Sequence, residues 1–304
     1  MTKESASRAS HASLTVHAPA KVNVILRILD RRPDGYHNLW SIMQTLALED
    51  SVTVRTQPHG GIKLSCDSET LSIDHSNLVW RAASAVLEHA KLSPGLDIEL
   101  RKRIPMGAGL GGGSSDAAAT ILGLNRLLHL GWTTAKMAEV GQTLGSDVPF
   151  FFFAPSAIVS GRGEMVRPVT IEGDRWLVLV KPPFGIETKW AYQELAATRP
   201  GIRPLSADHI RLGGCKRITW SQLTSVAEND FEMPVFGQHA RLGEIKRSLL
   251  KLGAECALLS GSGATVFGLF EKESTARRAE KDLRRDPQLN LFVVPTCSGP
   301  LTAS

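Results

Sequence analysis

The sequence predicts an α+β protein of two layers, and three observations carry that prediction. Short β-type segments alternate with helical ones and no internal repeat is seen. A glycine-dense segment joins a β-type stretch to a long helix, and a second set of apolar strands follows a Pro-rich break. A chain of 304 residues buries one large core or two modest ones.

In chain order, Leu14 to Arg27 is β-rich and contains the irregular Ala18-Pro19-Ala20, and Arg32-Pro33-Asp34-Gly35 reads as a turn. Asn77 to Leu92 has helical spacing at Leu78, Ala82, Ala85, Val86 and His89, ahead of the Ser93-Pro94-Gly95 break. A strand, Leu96 to Ile104, enters the glycine segment, and a helix follows over Ala117 to Leu130, with Ser114, Ser115 or Asp116 as N-cap candidates. Trp176 to Val180 reads as a buried strand stopped by Pro182-Pro183. Leu242, Ile245, Leu249 and Leu252 form a helical stripe closed by Gly253. Strands at Cys256 to Leu259 and Thr265 to Phe270 pivot on Gly261-Ser262-Gly263, and a charged helix near Ser274 to Arg285 and a strand at Leu291 to Val294 complete the pattern. The expected organisation is a disordered tail over 1–13, one unit over 14–172 and a second over 173–304, with 198–219 as a surface insertion lacking clear periodicity.

Composition removes several function classes. The chain is 42% hydrophobic and 21% charged, which is ordinary for a globular protein. Its longest apolar run, Val148 to Pro155, is far short of the ~20 residues that span a bilayer, and Met1 to Ser13 lacks a signal peptide's apolar stretch, so the expectation is a cytoplasmic protein with no membrane partner. Cys66, Cys215, Cys256 and Cys297 form no CxxC pair and suggest neither zinc nor disulfides. The net charge of +5 suits a small anionic ligand, whereas 6% aromatic residues do not supply the interleaved stripe expected of a nucleic-acid binder.

The glycine segment is Pro105-Met106-Gly107-Ala108-Gly109-Leu110-Gly111-Gly112-Gly113-Ser114-Ser115-Asp116. Gly107, Gly109 and Gly112 satisfy G-x-G-x-x-G, a weak signal alone. A dinucleotide fold would place an acid about twenty residues on, at a second strand's end. A Walker loop would need Gly-Lys-Ser/Thr, and a protein kinase would need His-Arg-Asp and Asp-Phe-Gly; the chain offers only Asp230-Phe231-Glu232. What remains is a loop of five glycines in seven positions, then two hydroxyls, at a helix start. Backbone N–H groups there converge on an anion and the helix dipole adds attraction, as phosphate binding requires.

With Pro19-Ala20-Lys21-Val22-Asn23, Arg32-Pro33-Asp34-Gly35-Tyr36-His37, Gly145-Ser146-Asp147-Val148-Pro149-Phe150 and Leu259-Ser260-Gly261-Ser262-Gly263, this loop resembles the GHMP kinases over nearly the whole chain. Tyr36-His37, with Tyr36 fifteen residues after Lys21, is similar to the branch whose acceptor is a cytidyl diphosphate sugar alcohol of the non-mevalonate isoprenoid route. The resemblance implies an N-terminal domain like domain 2 of ribosomal protein S5, a C-terminal ferredoxin-like α/β sandwich, and a cleft between them. Ser146, where many relatives carry Ala, and the long 198–219 stretch depart from the pattern.

The resemblance also assigns roles. Asp147 accepts the proton of the acceptor hydroxyl and Lys21 lies beside it, although Asp147 also suits a helix N-cap and Lys21 a solvated strand position. Asn23 shares the face of Lys21 and binds substrate. Tyr36 and Tyr192 sandwich the cytosine while His37 reads its edge, and Thr188 lies near the acceptor or caps a helix. For ATP, Asn77, Leu78 and Lys102 surround adenine and ribose, although Asn77 also suits a helix cap, and Pro105 to Ser115 with Gly261, Ser262 and Gly263 approach the phosphates. Mg²⁺ arrives with ATP rather than on a protein ligand cluster, with Ser114 or Ser115 as a single added donor. The expected assembly is a monomer or weak homodimer. The competing readings are another GHMP kinase with a different acceptor, and a non-catalytic nucleotide or metabolite sensor on the same fold.

Overall fold

The computed structural model describes residues 12–57, 60–199, 201–297 and 301. Most of the expected tail, 1–11, lies outside the described residues, and Ser13 already opens the first strand.

The first half comprises β1 (Ser13–Arg31), β2 (His37–Gln57), β3 (Ile62–Cys66), α1 (Leu78–Ala90), β4 (Gly95–Arg101), α2 (Gly112–Leu127), α3 (Thr134–Gln142), α4 (Val148–Phe153), β5 (Ser156–Gly161), β6 (Met165–Pro168) and β7 (Thr170–Glu172). The second comprises β8 (Trp176–Lys181), α5 (Thr188–Thr198), α6 (Ala207–Gly214), β9 (Arg217–Thr219), α7 (Trp220–Thr224), α8 (Glu232–Gln238), α9 (Ala240–Lys251), β10 (Cys256–Leu259), β11 (Val266–Phe270), α10 (Glu273–Leu283) and β12 (Asn290–Pro295). β3-β4-β2-β5-β6, with β1 paired to β2, form a six-stranded sheet, and β10-β11-β8-β12 form a four-stranded one. The parallel ribbon of β7 and β9 straddles the expected 172/173 boundary.

β1 and β2 are long antiparallel partners whose register shifts between Pro19 and Ala20 and again between Asn23 and Ile25. Such shifts are bulges that re-aim side chains. Both buried clusters draw on both halves. Leu177 and Leu179 of β8 point into one cluster and Val178 and Val180 into the other. The unbroken apolar run of β8 is therefore that of a strand covered on both faces. Among the described residues no helix is long and apolar enough to cross a membrane.

Two sequence expectations change. The helix after the glycine segment starts at Gly112, so Ser114, Ser115 and Asp116 stand inside α2 rather than capping it; the N-cap is Gly111, left-handed at φ 72° and without a side-chain cap bond. The stretch 198–219 is ordered by α6 and β9, and the carbonyls of Arg203 and Pro204 accept hydrogen bonds from the buried Arg27 guanidinium of β1. The buried His209, Leu212 and Ile218 add side-chain anchors, too few and too irregularly spaced to read as a period.

A candidate phosphoryl-transfer site

The glycine segment turns between β4 and α2 against the strand that carries Lys21. The Lys21 backbone N–H donates to Leu110 O at 2.9 Å, which fixes the loop's height on β1. Two glycines are required by contact and conformation. A Cβ on Gly109, at φ +73°, would lie 2.1 Å from Ser260 O, and one on Gly111 would lie 2.9 Å from the Lys21 side chain. The Ser260 hydroxyl donates to Gly109 O at 3.0 Å, so the loop between β10 and β11 interlocks with the first. With Gly111 giving no side-chain cap, the first-turn amides of the 16-residue α2 are left for an anion, and the helix dipole favours negative charge there.

Two cavities meet on this loop. One, of about 400 Å³, is lined by Asn77, Leu78, Lys102 and the run Pro105 to Ser114. The other, of about 360 Å³, is lined by Lys21, Asn23, Asp147, Thr188, Tyr192, Gly261 and Ser262, and shares Gly109, Gly111 and Ser114 with the first. A ligand phosphate on the shared residues thus has the Lys21 side as its neighbour.

At that junction the Lys21 ammonium lies 3.2 Å from Asp147 Oδ2 and donates to Asn23 Oδ1 at 2.8 Å. Lys21 is 4% exposed, while the Asp147 side chain is 30% exposed at the cleft. Asp147 occupies the N-cap position of α4 but its carboxylate makes no capping bond, so it remains available to the cleft. Thr188 is the first residue of α5 rather than its N-cap, and its hydroxyl pairs with that of Ser262 at 3.0 Å.

The aromatic assignment needs correction. The tyrosines do not face each other: His37 stacks on Tyr192, with ring centroids 4.9 Å apart at 21°, and Phe231 meets Tyr192 edge-on. Tyr36 is 56% exposed and lies under the Arg162 guanidinium, 4.0 Å from its ring centroid. A base between the tyrosines therefore requires His37 to leave the Tyr192 face. Burial first, then Arg31 and Arg199, hold the His37 imidazole below its ordinary pKa, which favours the neutral ring with one donor and one acceptor nitrogen. Lys102 lines the first cavity while its ammonium donates to Asp50 and to Asp116 Oδ2. Asn77 caps α1, accepting from Val79 N–H and donating to Ser72 O, so both ends of its amide are engaged. Gly263 and the buried Ser115 touch neither cavity.

The sequence reading missed Arg162, which lines the second cavity, and Ser41, which holds Asn23 from beneath. Arg162 could have been found as a cation between two glycines, Gly161 and Gly163, and Ser41 as a hydroxyl in the apolar run of β2.

The family profile "GHMP kinases N terminal domain" matches residues 77–154 and "GHMP kinases C terminal" matches 213–287. A 4-diphosphocytidyl-2-C-methyl-D-erythritol kinase of Geobacter metallireducens is 42% identical over 89% of this chain and 94% of its own length. One from Heliobacterium modesticaldum is 43% identical over 86% and 87%. A crystal structure of a 4-(cytidine 5'-diphospho)-2C-methyl-D-erythritol kinase superposes with a TM-score of 0.77 at 33% identity, covering 94% of this chain and 100% of that one. The homoserine kinase of Cytophaga hutchinsonii, at 17% identity and TM-score 0.69 over 98% of this chain and 99% of its own, shares the fold alone. By its profile matches, its relatives and its two-cavity architecture, the chain belongs to the 4-diphosphocytidyl-2-C-methyl-D-erythritol kinase family of GHMP kinases.

Proposed function

We propose that the protein transfers the γ-phosphoryl group of ATP to the 2-hydroxyl of 4-diphosphocytidyl-2-C-methyl-D-erythritol, a step toward isoprenoid precursors. The observation that carries this reading is the Lys21–Asp147 pair, 3.2 Å apart where the two cavities meet. Phosphoryl transfer asks mainly for positioning and charge stabilisation, because the transition state is loose. ATP lies in the glycine-loop cavity with its phosphates on the amides at the start of α2. The acceptor occupies the second cavity, its hydroxyl against Asp147, which takes the proton as the oxygen attacks. Lys21, paired with that carboxylate, stabilises charge developing on the phosphoryl oxygens.

Tyr192 and His37 hold the cytosine, with His37 turning from the Tyr192 face to the base edge, and Arg162 meets the acceptor's diphosphate. Mg²⁺ carried by ATP would neutralise phosphate charge, and Ser114, which lines both cavities, is the hydroxyl the chain would offer it.

The test is ADP release with ATP and a panel of acceptors. Phosphorylation of the cytidyl acceptor, with cytidine nucleotides competing against it but not against ATP, is the expected result. Equal phosphorylation of mevalonate, galactose or homoserine would overturn the acceptor assignment.

A further inference from the structure

Beneath Lys21 the hydrogen bonds run in one direction only. The Ser41 hydroxyl of β2 lies 2.7 Å from Ile25 O and 2.8 Å from the Asn23 side chain, whose other end lies 2.8 Å from Lys21 Nζ. A backbone carbonyl only accepts, so the Ser41 proton goes to Ile25 O and the Ser41 oxygen must accept. The group facing it on Asn23 is therefore the NH₂, which turns Asn23 Oδ1 to the ammonium, a group that only donates. A flipped amide would set NH₂ against ammonium and carbonyl oxygen against a hydroxyl oxygen whose proton is already placed. Ser41 is 0% and Asn23 1% exposed, so water does not supply a substitute partner. The register shift between Asn23 and Ile25 brings Ile25 O within reach of Ser41 while leaving Lys21 and Asn23 on one face.

We propose that Ser41 is a positioning residue for phosphoryl transfer: its hydroxyl fixes the Asn23 amide, and the amide holds the Lys21 ammonium beside Asp147. This role rests on the reading of Lys21 and Asp147 above. Ser41 touches neither ATP nor acceptor, so it acts on turnover through Asn23.

The experiment is steady-state phosphorylation of the cytidyl acceptor by Ser41→Ala in two backgrounds. Ser41→Ala lowers kcat about tenfold, with both KM values changed less than about threefold, as expected when one catalytic group is misplaced but both substrates still bind. In an Asn23→Ala background the same change adds no further loss, whereas a general loosening of the sheet would multiply the two. Ser41→Thr and Ser41→Val are nearly equal in volume and differ by the hydroxyl; Thr retains kcat and Val loses as much as Ala, which separates the hydroxyl from packing should Ala disturb the fold. Unchanged kcat in Ser41→Ala, or fully multiplicative losses with Asn23→Ala, overturns the role while leaving the functional reading intact. If the unmodified protein leaves the cytidyl acceptor untouched, the functional reading falls and this role falls with it.

Discussion

Lys21 and Arg27 sit on the same strand, both almost fully buried, and are satisfied in opposite ways. A guanidinium carries five N–H donors, and those of Arg27 reach Asp230, His209, Glu228 and the carbonyls of Arg203 and Pro204. Asp230 in turn accepts from the Ile28 N–H at 2.7 Å and pairs with Arg199 at 2.8 Å. Lys21, with three donors, has only Asn23 and Asp147 as side-chain partners among the described residues, and Asp147 opens to the cleft. A buried cation saturated by its surroundings has nothing left for a ligand and secures the fold. One left short beside a cavity is available for chemistry.

Arg27 differs from Lys21 in what its loss costs. Arg27→Met takes the buried guanidinium from Asp230 and Glu228, which keep Arg199 and Arg203 as partners, and should lower unfolding free energy by about 1.5–3 kcal/mol, read by denaturant titration, with little change in turnover per folded molecule. A stable Arg27→Met protein that has lost turnover would place Arg27 with the chemistry instead.

The comparison sharpens on the acceptor side. Tyr192→Ala removes the ring on which His37 now stacks and should weaken cytidine nucleotide binding by about 1–3 kcal/mol, leaving ATP affinity unchanged in calorimetric titration. Unchanged cytidine binding would move the base elsewhere.

A third buried cation, Lys102, is held with two carboxylates. Burial pulls the Lys102 ammonium down, but Asp116 and Asp50 more than offset it and the net shift is upward. Burial pushes the Asp116 carboxyl up to about 8, against the pull of Lys102. Between its ordinary 3.8 and about 8 the native state then holds a proton that the unfolded chain has released, so stability falls as pH rises through that window. Lys102 adds no slope there, since its unfolded value is 10.5. From pH 5 to 8 the Asp116 carboxyl alone takes at most about 1.4 kcal/mol per pH unit from stability, so the stability profile should slope downward less, or upward more, in Asp116→Asn. Identical pH profiles for the two proteins would contradict the buried proton.

What the sequence made legible is what lies close along the chain. The glycine run has a local physical reason, Lys21, Asn23 and Asp147 stand out through the short motifs that carry the family resemblance, and the structure gathers them at one junction. In the second half β8, α9, β10, β11, α10 and β12 were readable from the sequence, since β8 is apolar throughout and α9 carries a clear stripe, whereas α5 to α8 and β9 were not. Arg27 was not readable, since its partner Asp230 lies 203 residues away and an arginine in a β-run looks solvated. Likewise, that His37 rather than Tyr36 stacks on Tyr192 depends on where α5 docks, and Tyr36 is diverted by Arg162 from another strand connection. The start of α2 was misplaced because glycines read as loop, whereas the left-handed Gly111 lets helix begin at once.

The central claim is that the Lys21–Asp147 pair is the chemical centre, and rapid-quench single turnover of labelled ATP with saturating cytidyl acceptor tests it most directly. Asp147→Asn should bind both substrates normally, retain its melting temperature and transfer the phosphoryl group ~10²–10⁴ times more slowly. Adding Lys21→Ala should cost less than the product of the two single losses, because the groups act as a unit. Transfer by Asp147→Asn at a rate close to that of the unmodified protein would contradict the account.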